Sequence, residues 1–123
     1  MIRGVVNADH AAVVSLRLRG PTGVESDVDA VIDTGFDDQL ILPASMIALL
    51  GLTVRSTGVA QLADGSFKTF QIFAASVEWE GAWRPIQVSA VGDEILIGMM
   101  LLAKHEVRIE VVPGGGVEIS ALP

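Results

Sequence analysis

Apolar and polar residues alternate along most of the chain. Ala12, Val14, Leu16 and Leu18 interleave with Val13, Ser15, Arg17 and Arg19, the period-two pattern of a half-buried strand. Gly20-Pro21-Thr22-Gly23 interrupts it as a turn. Alternation resumes through Val24, Val28, Ala30 and Ile32 against Glu25, Asp27 and Asp29, so the two runs predict a hairpin. After Asp33-Thr34-Gly35 comes a short apolar stretch, Gln39 to Leu42. From Pro43 to Leu50 the pattern turns helical, with proline at the first turn and Gly51 as the stop. Val59 to Leu62 predicts a short strand, Ala63-Asp64-Gly65-Ser66 a turn, and Phe67 to Trp79 the longest extended run. Trp79 to Trp83 predicts a second hairpin tip in which the two indoles clamp across the strands, leading into Pro85 to Val91. Ile95 to Gly98 is a further apolar element, Met99 to Lys104 a second short helix, and Val107 to Val112 and Val117 to Ile119 are strands around Pro113 to Gly116.

Many short strands, tight Gly or Pro turns and one or two short helices predict an all-β, barrel-like architecture. At 123 residues the chain predicts a single domain over 1–123. Half of it is hydrophobic and its mean hydropathy is +0.53, which excludes wholesale disorder. A net charge of −7 with scattered basic residues argues against nucleic acid as a partner. No cysteine is present, so disulfides, thiolate catalysis and cysteine–zinc sites are excluded. With two histidines far apart, His10 and His105, no metal or other cofactor is expected; both read as surface or packing residues. The most apolar window, Glu94 to Ala103, is short of the ~20 residues a membrane span needs, and no secretory signal stands at the N-terminus. A cytoplasmic protein without membrane contact is the expectation.

The chemistry sits in Val31-Ile32-Asp33-Thr34-Gly35-Phe36. An acid directly after two apolar strand residues is about to leave a buried strand for a loop. Gly35 permits close backbone approach, and the Thr34 hydroxyl can brace the loop. The triplet by itself reads first as a strand-closing turn with its carboxylate satisfied locally.

Further features extend the motif. Asp33-Thr34-Gly35 is followed by Asp37-Asp38, then an apolar stretch ending at Pro43, then a strand pair turning at Asp64-Gly65. Ile95-Leu96-Ile97-Gly98 comes next, with Leu101-Leu102 after it. In this order and spacing, over nearly the whole chain, the sequence resembles the retroviral-type (retropepsin-like) aspartic proteases, in particular their small bacterial and archaeal members. The resemblance implies an acid-protease barrel of one lobe and a homodimer that cleaves peptide or protein substrates. Asp33, Thr34 and Gly35 would be catalytic. The Ala63 to Phe67 tip, with Asp64, Gly65 and Ser66, would be the flap, and Phe36, Asp37, Phe67 and Ile97 would contact substrate. Met1 to Val6 and the C-terminal strands would contribute to the dimer.

The dimer has a chemical reason. Amide hydrolysis needs a base for water and an acid for the leaving nitrogen. Two close carboxylates that share one proton supply both, and a chain with one Asp-Thr-Gly must obtain the second from a symmetry mate. Two departures from the resembled pattern stand out. Phe36 replaces the usual Ala, and Met99 replaces an Arg that would pair with Asp37, so Arg84, Arg55 or Lys104 must substitute or Asp37 sits in solvent. The alternative function is a non-catalytic peptide-binding or assembly module on the same fold. An unrelated acidic β-barrel would make the motif order a coincidence.

Overall fold

The computed structural model describes residues 1–123. The element order is β1 (Ile2–Val6), β2 (Ala12–Arg19), β3 (Glu25–Ile32), β4 (Leu40–Leu42), α1 (Ala44–Leu50), β5 (Val54–Gln61), β6 (Phe67–Trp79), β7 (Ala82–Ala90), β8 (Leu96–Ile97), β9 (His105–Ile109) and β10 (Gly116–Ala121). The expected β2–β3 hairpin is present, with Val13 opposite Val31 and Arg19 opposite Glu25. β3 pairs with β8, β8 with β4, β4 with β7 and β7 with β6. β6 then returns to β2 through Leu18–Val77 and Arg19–Ser76. Six strands therefore close into a barrel of mixed parallel and antiparallel ladders. β5 continues the sheet beyond β6, and β1, β10 and β9 continue it beyond β2.

The alternation read from the sequence is what fills this barrel. Val14, Leu16 and Leu18 of β2, Val28 and Ala30 of β3, and Phe73, Ala75, Val77 and Trp79 of β6 are all buried and share one core with Leu40, Leu42, Val88 and Ile97. The polar partners face out: Arg17, directly opposite Asp27, pairs with it at 3.0 Å. The helix ends at Gly51 as its sequence predicts. With seven residues it is the one helix, and no helix is long and apolar enough to cross a membrane.

Three expectations change. Met99 to Lys104 forms no second helix. Leu101 and Leu102 N–H groups both bond the Gly98 carbonyl, at 3.2 and 3.4 Å, which makes a single turn. Lys104 then adopts φ 65° and the chain reverses into β9; one turn without propagation does not repay helix nucleation. β5 is longer than Val59 to Leu62, because Arg55-Ser56-Thr57 are exposed on both faces at the sheet edge and carry no alternation, while β6 supplies their ladder. The tryptophans do not clamp one another. Trp79 stands opposite Ala82, and Trp83 opposite Glu78, so the indoles point to opposite faces: Trp79 is in the core and Trp83 lies under the Arg19 guanidinium, 4.2 Å away. β1 pairs with β10 through Ile2–Val5 and with β2 through Gly4–Val6, so both of its edges are used within the chain only along Gly4 and Val5.

Candidate functional site

β3 ends at Ile32, and the parallel ladder with β8 carries on past it. Val31 N–H donates to Ile95 O and Asp33 N–H to Ile97 O, each at 2.9 Å. Asp33 thus starts its loop from a fixed point, half-buried. Its Oδ1 accepts the Gly35 N–H at 2.9 Å, an Asx-type contact that holds the carboxylate over the loop backbone. A side chain at Gly35 would bring its Cβ to 3.2 Å from that same oxygen. Thr34 is exposed.

Three backbone bonds stitch the rest of the loop to the turn after β8. Met99 N–H donates to Phe36 O at 2.8 Å, Gly98 N–H to Gln39 O at 2.9 Å and Met100 N–H to Asp38 O at 3.2 Å. The approach is possible only because residue 98 lacks a side chain; a Cβ there would overlap the Asp38 carbonyl and the Phe36 ring. Phe36 therefore packs over Gly98, half-buried, and does not stand free beside the carboxylate.

Asp37 is exposed, and the chain's ion pairs involve only Arg17 with Glu25 and Asp27, and His105 with Glu80. None of the three candidate cations replaces its partner. Arg84 is committed elsewhere: it donates to Leu101 O at 3.1 Å and lies 5.8 Å from the Trp79 ring centre. Ile97 is not a pocket wall. It has no exposed surface, because its ladder position between β3 and β4 points it into the core.

The flap expected at Ala63 to Phe67 is the exposed tip of the β5–β6 hairpin. Gly65 N–H bonds Leu62 O at 2.9 Å, and the turn requires φ +86° at Gly65. The Asp64 carboxylate accepts from both the hydroxyl and the N–H of Ser66. These bonds, the hydroxyl first, hold the Asp64 carboxyl below the usual aspartate range. The lowered value means that the turn's stabilisation is full above the ordinary aspartate pKa and disappears as pH falls through the lowered one. Ser66→Ala is expected to move the Asp64 titration back up toward the ordinary value, as followed by NMR of its side-chain carboxyl carbon. Phe67 is 69% exposed at this tip.

Two cavities flank these elements. One, of about 240 Å³, is lined by Ile32, Thr34, Met99, Leu102, His105 and Val107. The other, of about 270 Å³, lies between the β5–β6 hairpin and the end of β7, with Leu62, Lys68, Phe70 and Val91 among its walls. Neither joins the flap tip to Asp33, and Asp33 itself lines no cavity in the single chain. No three Asp, Glu or His side chains gather as a ligand set for a metal.

Several residues here carry no signal in the sequence. Gln39 Oε1 accepts the Gln87 N–H at 2.7 Å, which ties the loop to β7. His105 Nδ1 lies 2.8 Å from Ala103 O, an acceptor only, so it carries a proton. His105 Nε2 meets both Glu80 Oε1 at 2.8 Å and the Trp79 indole N–H at 3.1 Å. It can donate to the first only as imidazolium and accept from the second only when neutral.

Against proteins of known structure, the fold is similar to the crystal structure of a retropepsin-like aspartic protease from Rickettsia conorii. The TM-score is 0.60 at 18% sequence identity, over 98% of this chain and 91% of that chain. The likeness is one of fold: a six-stranded barrel with extra strands, of one lobe. No protein-family model and no curated protein matches the chain.

Proposed function

We propose that residues 1–123 are one lobe of a homodimeric aspartic endopeptidase, with Asp33 and its symmetry mate as the two carboxylates. The observation that carries this reading is an intact Asp33-Thr34-Gly35 whose loop is fastened to Ile97-Gly98, in a fold shared with a retropepsin-like protease. A turn that only closes a strand has no need of that second anchor.

On this reading one Asp33 carboxylate is ionised and takes a proton from water as the water attacks the scissile carbonyl. The other is protonated and stabilises the developing oxyanion. Collapse of the tetrahedral species delivers a proton to the leaving nitrogen, and no covalent enzyme intermediate forms. Thr34, exposed beside the carboxylate, braces one loop against the other across the twofold axis. The Ala63 to Phe67 flap closes over an extended peptide, offers backbone hydrogen bonds and excludes water. Asp37, free of any ion pair, is available to the substrate backbone at the cleft edge.

The test is an unbiased peptide-library digest between about pH 4 and pH 7, followed by a pH–rate profile on the best peptide. A shared proton requires the rate to fall once pH passes the higher apparent pKa of the pair, since both carboxylates then ionise. A rate that still climbs at about pH 9 rules out the dyad. Peptide binding without cleavage at any pH would leave a binding module instead.

A further inference from the structure

His105 opens β9, and the groups around its ring make contradictory demands. Nδ1, 2.8 Å from Ala103 O, holds a proton, because a carbonyl only accepts. The Trp79 indole N–H only donates, and it reaches Nε2 at 3.1 Å. Trp79 is buried in the barrel core, and its ring meets the imidazole edge-on, with the planes at 85° and the centres 5.5 Å apart. These neighbours define a neutral imidazole, protonated on Nδ1 and bare on Nε2.

Glu80 demands the opposite. Its Oε1 stands 2.8 Å from the same Nε2, and an ionised carboxylate only accepts. A bare Nε2 and a carboxylate oxygen repel at that distance. They attract only when Nε2 carries a proton, and that proton then meets the Trp79 N–H head-on. Nε2 therefore serves one partner at a time. With the His105 side chain only 11% exposed, water does not freely stand in for either. Glu80 sits at φ 51° before Gly81 at φ 85°, in a hairpin turn that favours Asn, Asp or Gly at its first position. A glutamate there has its bond to His105 as a local compensation.

Few other charges bear on the ring. The cavity walls it shares, Ile32, Thr34, Met99, Leu102 and Val107, are uncharged, and Ala121 stands opposite on β10. Arg84 of β7 lies beyond the indole, 5.8 Å from the Trp79 ring centre, and is held by Leu101 O; its charge opposes a second cation there. Lys104 and Glu106 on either side of His105, and Glu78 beside Trp79, are exposed. Glu80 is thus the one anion in contact with the imidazole.

We propose that His105 is a proton-operated latch between the barrel core and the β6–β7 hairpin tip. Neutral, it accepts the Trp79 indole N–H and leaves Glu80 to solvent. Protonated, it gives up the indole and donates to Glu80, which fastens the hairpin tip to the first residue of β9. Histidine is the side chain whose charge ordinarily changes near neutral pH, and exclusive partners at one nitrogen make the change a two-state exchange. The proton also places a positive charge on the wall of the cavity that holds Thr34, beside the start of the Asp33 loop. The latch goes beyond the protease reading and does not depend on it.

The test is proton–nitrogen NMR of the parent chain from about pH 5 to about pH 8, with Trp83→Phe used only to assign the two indole signals. At the upper end the His105 ring nitrogens should report one protonated and one bare site, with the Trp79 indole proton downfield as a hydrogen-bonded proton is. At the lower end both nitrogens are protonated and the indole proton has moved upfield, with the same midpoint. The Met99 methyl signal, from the shared cavity, should follow the same curve. Glu80→Gln, at an exposed turn, removes the anion that the imidazolium pairs with; the transition should move to lower pH with the indole still coupled to it. An Nε2 that keeps one state across the whole range, an indole proton indifferent to the ring's charge, or a transition that Glu80→Gln leaves in place overturns the latch. A Met99 methyl that does not respond overturns its reach into the cavity. Peptide cleavage enters none of these readings, so the latch and the Asp33 dyad fail separately.

Discussion

Asp33→Asn is expected to lower peptide cleavage by about two to four orders of magnitude and to leave the fold and the dimer in place. The amide is isosteric with the carboxylate. Its oxygen can still accept the Gly35 N–H that Asp33 Oδ1 accepts at 2.9 Å, so the loop keeps its anchor. It can neither ionise nor share a proton, and a pair of amides has no base for water and no acid for the leaving nitrogen. The direction of the effect on association is also informative. Two facing carboxylates repel when both are ionised, so near neutral pH the variant should dimerise at least as well as the parent, and the difference should shrink as the parent takes up its shared proton. Steady-state cleavage and sedimentation on the same preparations check both halves. Retention of full activity by the variant would remove Asp33 from the chemistry altogether.

Gly98→Ala should produce a large structural effect for a single added methyl group. The added Cβ overlaps the Asp38 carbonyl and the Phe36 ring, and the first of these is backbone, which has no rotamer to escape into. Relief requires the Phe36–Gln39 loop to lift away from the turn after β8, which lengthens the three bonds from Gly98, Met99 and Met100. Overpacking against side chains costs about 1 to 3 kcal/mol, and with backbone as the obstacle a loss of about 3 kcal/mol or more is expected, read from urea unfolding. Asp33 lies at the root of that loop, so cleavage should fall further than the loss of folded protein explains. Gly35→Ala is the contrast. Its Cβ meets only the Asp33 carboxylate oxygen, at 3.2 Å, so its stability should change little while the reactive group is disturbed directly.

How far such features can be read in a linear chain depends on whether they repeat. The β2–β3 hairpin and β6 were legible because their alternation is local and long: the buried Val14, Leu16, Leu18, Phe73, Ala75 and Val77 are every second residue of an unbroken run. The two tryptophans show the limit. Four residues apart around a glycine, they suggest a facing pair, but a two-residue turn puts Trp79 opposite Ala82, and this one-residue offset sends the rings to opposite faces. Ile97 fails as a pocket wall for a similar reason. Its sequence neighbours are those of a site, yet its ladder position directs it into the core.

Local pattern was enough to establish a β-rich barrel chain with a short helix ending at Gly51, and a single acidic motif that leaves a buried strand and precedes an apolar Ile-Leu-Ile-Gly element, because hydrophobic period, turn chemistry and composition are all properties of neighbouring residues. Packing in three dimensions was needed to establish that β6 closes the ring onto β2, that Gly98 is the contact on which the Asp33 loop rests, that Asp37 has no cation, and that β1 lies between β2 and β10 while β9 is left with an open edge. Each of these depends on which distant strands lie side by side. That arrangement follows from burying one shared core, and no local pattern records it.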